Sequence, residues 1–185
     1  MRGNVSEGLG GMWKSVDGGK TWKNLGLLDA RHIINIIVHP TDPQTVWVGV
    51  MGHLFGPNTE RGVFKTTDGG QTWADVSAGL PDSPAQSVYI DNSVAPNRIF
   101  VGTDTAGLFS REKTGTSFTA FGKGLPSVQI TGIERAGLVL AIATYGKGMY
   151  QIPLTVEEKV AAPVVVGNAP SGPSARARAN ARSAR

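Results

Sequence analysis

An all-β fold assembled from repeated antiparallel sheets is what this sequence predicts, and three observations carry the prediction. The first is an internal repeat. Gly11-Met-Trp-Lys-Ser-Val-Asp-Gly-Gly-Lys-Thr-Trp22 recurs 51 residues later as Gly62-Val-Phe-Lys-Thr-Thr-Asp-Gly-Gly-Gln-Thr-Trp73. The second is punctuation: 25 glycines and 11 prolines separate short apolar runs, and only 17% of residues are charged, the pattern of tight turns between short strands. The third is the runs themselves. Val46-Trp-Val48, Ile99-Phe-Val101 and Leu138-Val-Leu-Ala141 fit strands buried on both faces.

The repeat continues beyond its two clear copies. A worn third copy, Gly107-Leu-Phe-Ser-Arg-Glu-Lys-Thr-Gly-Thr-Ser-Phe118, follows 45 residues after the second, and Gly148-Met-Tyr-Gln-Ile152 keeps only the strand. The flanks repeat too: Ile36 to Gly49 corresponds to Tyr89 to Gly102. Each unit reads strand, Pro/Asn turn, strand, Gly loop, strand, Asp-Gly-Gly turn, strand. Four short antiparallel strands in about 45–50 residues is the signature of one β-propeller blade.

Taken in order, the strands are expected at 12–16, 21–25, 33–39, 45–51, 62–67, 72–77, 86–91, 98–103, 107–111, 117–121, 128–134, 138–144 and 148–153. These make about three to three and a half four-stranded blades. A closed single ring needs at least about four, so the expectation is a partial or shortened ring, with self-association as one way to complete it. The blades are assigned to residues 1–154. Residues 155–185 turn to Ala, Pro, Gly, Ser and Arg without apolar period and are expected to be a disordered tail. That tail holds five cationic side chains against two glutamates, which accounts for three of the four net positive charges. The blades are thus nearly neutral, and nucleic acid is not an expected partner. The longest uncharged apolar run, Gly137 to Tyr145, falls far short of the roughly 20 residues of a spanning helix, so no membrane span is expected. With no cysteine in the chain, disulfides, thiolate metal sites and a Cys nucleophile are ruled out.

The hairpin copies have a physical logic. Asp17 and Asp68 precede Gly-Gly at the turn, where a short carboxylate accepts bonds from backbone amides a few residues on. Gly19 and Gly70, each with the glycine before it, supply the positive φ of a tight hairpin. Thr21 and Thr72 can add a side-chain bond. Trp22 and Trp73 follow on a strand, where a large ring fills the space between neighbouring sheets. The two aspartates lie a whole blade apart and so cannot pair as acid and base; their expected role is structural.

Ser15-Val-Asp-Gly-Gly-Lys-Thr-Trp22 and Thr66-Thr-Asp-Gly-Gly-Gln-Thr-Trp73 resemble the Asp-box, or bacterial neuraminidase (BNR), repeat. The stretch from Gly11 through Trp73 is similar to bacterial propellers of the sortilin-N-terminal-like or glycosyl-hydrolase BNR kind, and Leu125 to Leu154 resembles their last blade. The resemblance covers about residues 8–154. It implies a propeller fold and leans towards a secreted or periplasmic bacterial protein. It does not fix function, since sialidases, xyloglucan-type endoglucanases, sortilin-like receptors and a photosystem assembly factor share the repeat.

Candidate sites are few. His32, His39 and His53 are the only histidines and lack metal-ligand spacing, so neither a metal nor another cofactor is expected. The segment Gly52 to Arg61 is a ten-residue insertion between strands, and long loops on rigid scaffolds concentrate ligand contacts. There Phe55 offers a stacking face for a sugar, while His53, Asn58, Glu60 and Arg61 offer hydrogen bonds. A glycosidase needs two carboxylates about 5–10 Å apart. Asp29, Glu60, Asp82, Asp91 and Asp104 are available, but no motif selects a pair. The Arg cluster and Tyr–Glu pair of sialidases are not recognisable, nor is a Ser nucleophile elbow or a phosphate loop. The expected function is a non-catalytic scaffold presenting loops to a protein or glycan. The alternative is a piece of a glycoside hydrolase acting on polysaccharide.

Overall fold

The computed structural model describes residues 10–53, 56–93 and 97–154, together with the backbone of Val164–Val166. Among these residues there is no helix, and the chain forms four antiparallel sheets. Blade one holds β1 (Trp13–Lys14) and β2 (Lys23–Asn24). Blade two runs β3 (Ile33–Val38), β4 (Val46–Val50), β5 (Gly62–Thr66) and β6 (Ala74–Asp75). Blade three runs β7 (Ala85–Asp91), β8 (Arg98–Thr103), β9 (Leu108–Glu112) and β10 (Thr119–Ala120). Blade four runs β11 (Ile130–Ala136), β12 (Val139–Thr144), β13 (Gly148–Pro153) and β14 (Val164–Val166). Each sheet is a meander in which sequence neighbours are hydrogen-bonded neighbours.

The last strand corrects the expectation that the blades end at 154. Val164–Val166 pairs antiparallel with Met149–Gln151. Three consecutive β-branched residues suit an extended backbone, and they cover the outer edge of β13. The rest of the expected tail, 155–163 and 167–185, lies outside the described residues. The outer strands are shorter than expected, two residues each in β2, β6 and β10, because the hairpin turn and its hydrogen bonds take up the residues between.

The blades stack through three apolar cores in series. Met12, Ala30, Val48 and Val50 join blades one and two. Trp47, Val63, Val88, Ile90, Ile99, Val101 and Phe118 join two and three. Phe100, Leu108, Ile130, Leu140, Ile142 and Ile152 join three and four. Adjacent residues of β4 and β8 therefore serve opposite interfaces, which is why those strands read as unbroken apolar runs.

Register makes the blades comparable position by position. The same bulge interrupts the first strand pair of each full blade, between Ile33 and Asn35, Ala85 and Ser87, and Ile130 and Gly132. Opposite it sit Gly49, Gly102 and Ala143. A Cβ on Gly49 would lie 2.9 Å from Val88 Cγ2, and one on Gly102 would lie 2.5 Å from Ile130 Cγ2. These glycines let the next blade approach. Two residues earlier, Trp47 and Phe100 fill the interface and are 1% exposed, whereas blade four has Ala141 there. Its outward face thus carries Ala141, Ala143 and, opposite them on β13, Gln151 and Met149.

Candidate functional site

The repeated hairpins hold their aspartates in cages of turn donors. In the first, the Thr21 amide and hydroxyl donate to Asp17 at 2.9 and 2.6 Å, and the Ser15 hydroxyl donates at 2.8 Å. In the second, the Thr72 amide and hydroxyl donate to Asp68 at 3.0 and 2.6 Å, joined by the Thr66 hydroxyl at 2.6 Å and the Gln71 amide at 2.9 Å. The Thr66 oxygen in turn accepts from the Gly70 amide at 3.0 Å, as the Ser15 oxygen does from Gly19 at 2.7 Å. Gly69 and Gly70 sit at φ +73° and +93°, a conformation side chains resist. Hydrogen bonds to the charged form lower a carboxyl pKa. Led by the Thr21 hydroxyl, they take Asp17 from 3.8 to about 2, and Asp68, led by Thr66, is held further below the usual range.

The hairpin aromatics behave differently from one another. The Trp73 indole N–H donates to the Leu25 carbonyl of blade one at 2.7 Å, and the ring joins the first inter-blade core. Phe118, its counterpart in the worn copy, is 2% exposed against blade two. Trp22 departs from the expectation that both tryptophans fill inter-sheet space. It is 59% exposed, and its N–H donates to Gly19 within its own hairpin at 3.1 Å. The worn copy keeps the ring and drops the aspartate, so docking of the aromatic survives without the carboxylate cage.

The 52–61 loop is braced from within. Arg61 Nε donates to the Met51 carbonyl at 3.0 Å, Nη2 to the His53 carbonyl at 3.0 Å, and Nη1 to Asp82 at 3.0 Å. Asn58 Nδ2 donates to the carbonyls of His53 and Gly56 at 3.3 and 3.4 Å. Phe55 lies outside the described residues. Glu60 instead lines an open cavity of about 440 Å³ together with Asp29, Leu28, Thr59 and Phe64. Leu27, in the same wall, has φ +56° and is the one non-glycine at positive φ among the described residues. Such backbone strain is held only where the surroundings over-determine it.

The five carboxylates weighed from sequence thus separate. Asp82 pairs with Arg61. Asp91 is buried between blades three and four and accepts from Arg135 and from the Ser93 hydroxyl and amide. Burial pushes Asp91 upward, but these donors outweigh it and hold the carboxyl below its ordinary value. Asp104 accepts from Gln86 at 3.4 Å. Asp29 and Glu60 line one cavity together, and nothing in their sequence separation announces it. A further capped turn, outside the repeated hairpins, lies in Thr41-Asp-Pro-Gln-Thr45, where Asp42 accepts from the Thr45 hydroxyl at 2.6 Å and the Gln44 amide at 3.1 Å. No helix among the described residues is long and apolar enough to cross a membrane.

No family model matches the chain, and no curated protein matches it. Among solved structures it is similar to a GH74 enzyme from Niastella koreensis, with a TM-score of 0.62 and 13% identity over 86% of this chain. The chain spans 27% of that structure's length, so what is shared is a run of blades. At that identity the likeness is one of fold, and it agrees with four antiparallel sheets stacked face to face: the chain is built of β-propeller blades.

Proposed function

We propose that the chain is a non-catalytic propeller scaffold that presents its inter-strand loops to a glycan. The contact site is the cavity between the 26–30 turn and the 52–61 loop. The observation that carries the reading is the disposition of charge. Asp17 and Asp68 are saturated by turn donors and Asp82 and Asp91 are paired with arginines, while Asp29 and Glu60 line one open cavity beside Leu28 and Phe64. Apolar surface beside a few hydrogen-bonding groups suits the two-sided character of a sugar ring. The fold likeness to a GH74 enzyme supports a glycan-related role. We read the two hairpins as Asp-box repeats, on the Ser/Thr-X-Asp-Gly-Gly-X-Thr-Trp pattern and its hydrogen bonds.

Titration calorimetry with neutral β-glucan and xyloglucan-type oligosaccharides tests the site. Saturable binding that weakens at least about tenfold in Glu60→Gln and in Leu28→Ala supports it, since each good contact of this kind is worth roughly 1–2 kcal/mol. Absence of binding, or binding indifferent to both substitutions, overturns it. A second reading, part of a glycoside hydrolase, is favoured by the two carboxylates in one cavity. It requires release of reducing ends from the same oligosaccharides and its loss in Asp29→Asn or Glu60→Gln.

A further inference from the structure

Blades two and three each have four strands, and the rim of the interface between them gathers positive charge around one buried indole. Trp47 of β4 is 1% exposed. The Lys65 ammonium, from β5 of the same blade, lies 5.3 Å from the centroid of its ring. The Lys113 ammonium, from the next blade, lies 5.3 Å from it as well. The two charges therefore stand no further apart than twice that distance. Lys113 follows β9 directly, and its amide extends the ladder by donating to the Asn97 carbonyl. Arg111, two residues earlier, points to the same face of the strand. Its guanidinium stacks on Phe118 at 4.8 Å, and Phe118 shares a core with Trp47. The His39 ring lies 6.1 Å from the indole and accepts the Thr41 amide at Nδ1, which leaves Nε2 to carry a proton.

What this rim lacks is negative charge. No carboxylate among the described residues forms an ion pair with Lys65, Arg111 or Lys113. Glu112 alternates to the opposite face, in register with Arg98. Asp42, the carboxylate beside His39, is engaged by Thr45 and Gln44. Donors are left over as well. Trp47 Nε1 and Arg111 Nε are buried without a hydrogen-bond partner, although Arg111 Nη1 donates to the Gly115 carbonyl at 3.2 Å. Burial also pushes the Arg111 guanidinium below its ordinary value. An aromatic face attracts each cation singly, but two ammoniums drawn to one ring repel each other, and buried donors left unmade are costly.

We infer that this rim is a binding site for a sulfate or phosphate group, clamped by Lys65 of one blade and Lys113 of the next, with Arg111 as a third donor. Ammonium and guanidinium groups make the strong, charge-assisted hydrogen bonds to such oxyanions. Donors arriving from two blades suit a tetrahedral group, which offers oxygens on several sides, better than a planar carboxylate with two. A bound anion would relieve the repulsion between the lysines and give the guanidinium a counter-charge. The site is remote from the glycan reading in both place and residues. β5 leaves the 52–61 loop at Gly62 and reaches Lys65 near its far end, and none of these residues lines the Asp29–Glu60 cavity.

The probes are inorganic sulfate and phosphate, titrated into the nitrogen-15-labelled full chain at an ionic strength held constant with sodium chloride. The indole N–H resonance of Trp47, identified by its loss in Trp47→Phe, should shift saturably. The double variant Lys65→Gln/Lys113→Gln should weaken binding at least about tenfold, whereas Glu60→Gln and Lys123→Gln, at an exposed cation elsewhere on blade three, should leave it unchanged. Circular dichroism verifies folding. If the double variant does not fold, each single variant should weaken binding at least about threefold. A sulfated oligosaccharide that binds more tightly than free sulfate, while its unsulfated counterpart leaves the Trp47 resonance in place, identifies an ester group on a larger ligand. Equal affinity identifies the free anion. The inference is overturned by absence of a saturable shift, by a shift that chloride alone reproduces, by indifference to loss of the lysines, or by an equal loss in Lys123→Gln.

Discussion

At the scale of single residues, the caged aspartates make a pH prediction whose sign follows from their pKa values. Asp17 titrates near 2 in the fold and near 3.8 outside it. A depressed folded value contributes stability that is complete above the unfolded pKa and is lost as pH falls through the folded one. Thermal stability should therefore hold above about pH 4 and fall between there and pH 2, with Asp68 giving way lower still. In Asp17→Asn/Asp68→Asn, the melting temperature should start lower at neutral pH and change less across that window. An unchanged slope would remove the cages from the account of acid lability. The hairpin tryptophans make a second prediction, because identical motifs have unlike surroundings. Trp73→Ala should destabilise by about 2–3 kcal/mol, somewhat below the roughly 3–5 of a fully enclosed ring, and Trp22→Ala by less than about 1 kcal/mol. Urea melts of the two variants measure the difference. The local sequence could show the cage, because its members lie within seven residues of one another. It could not show the unlike burial of the two rings, which depends on what lies upstream of each.

At the scale of the elements, strand spacing was legible and strand partnership was not. The repeat placed all of β1 to β13 nearly where they lie, because alternation and turn residues are short-range signals. It left Val164–Val166 in the tail, since a strand in an Ala/Pro/Gly-rich stretch is declared only by the edge it covers. The long-range contacts were equally silent: Asp91 and Arg135 stand 44 residues apart and meet only when blade four docks. Arg135→Met would leave Asp91 buried without its counter-charge and should destabilise by about 3 kcal/mol, while Asp91→Asn in the same background should recover part of the loss. The Asp29–Glu60 cavity was illegible for the same reason, because its walls come from two separate loops. Glycine placement tests the packing itself. Gly102→Ala sets a Cβ against Ile130 and the Ser87 hydroxyl and should cost about 1–3 kcal/mol, the range for overpacking, as read from denaturant midpoints.

At the scale of the whole molecule, three cores in series govern how the fold opens. Among the described residues, each apolar layer joins one blade to its neighbour, so stability is close to a sum of nearest-neighbour terms. Blade three is covered on both faces, with Ile99 and Phe100 at 0% and 1% exposure. Blade one has two short strands among the described residues. Native-state amide exchange should therefore rank blade one fastest and β8 slowest. Uniform protection across the blades would mean that they unfold as a single cooperative unit. The same seriality explains why the fold class could be read from the sequence while the function could not: repetition encodes how blades join, and binding falls to the loops where repetition breaks.

The alanines facing outward from blade four have a consequence for growth. A molecule with two complementary sticky faces polymerises head to tail, closing into a ring when the geometry allows and running on as a fibre when it does not. Here Ala143 puts a methyl where Gly49 and Gly102 leave room, and Ala141 removes the wedge. The outward face of blade four thus lacks both the room and the wedge with which blades two and three seat the blade that follows them, and any surface laid against it there would meet a shallow methyl layer instead of an interlocking one.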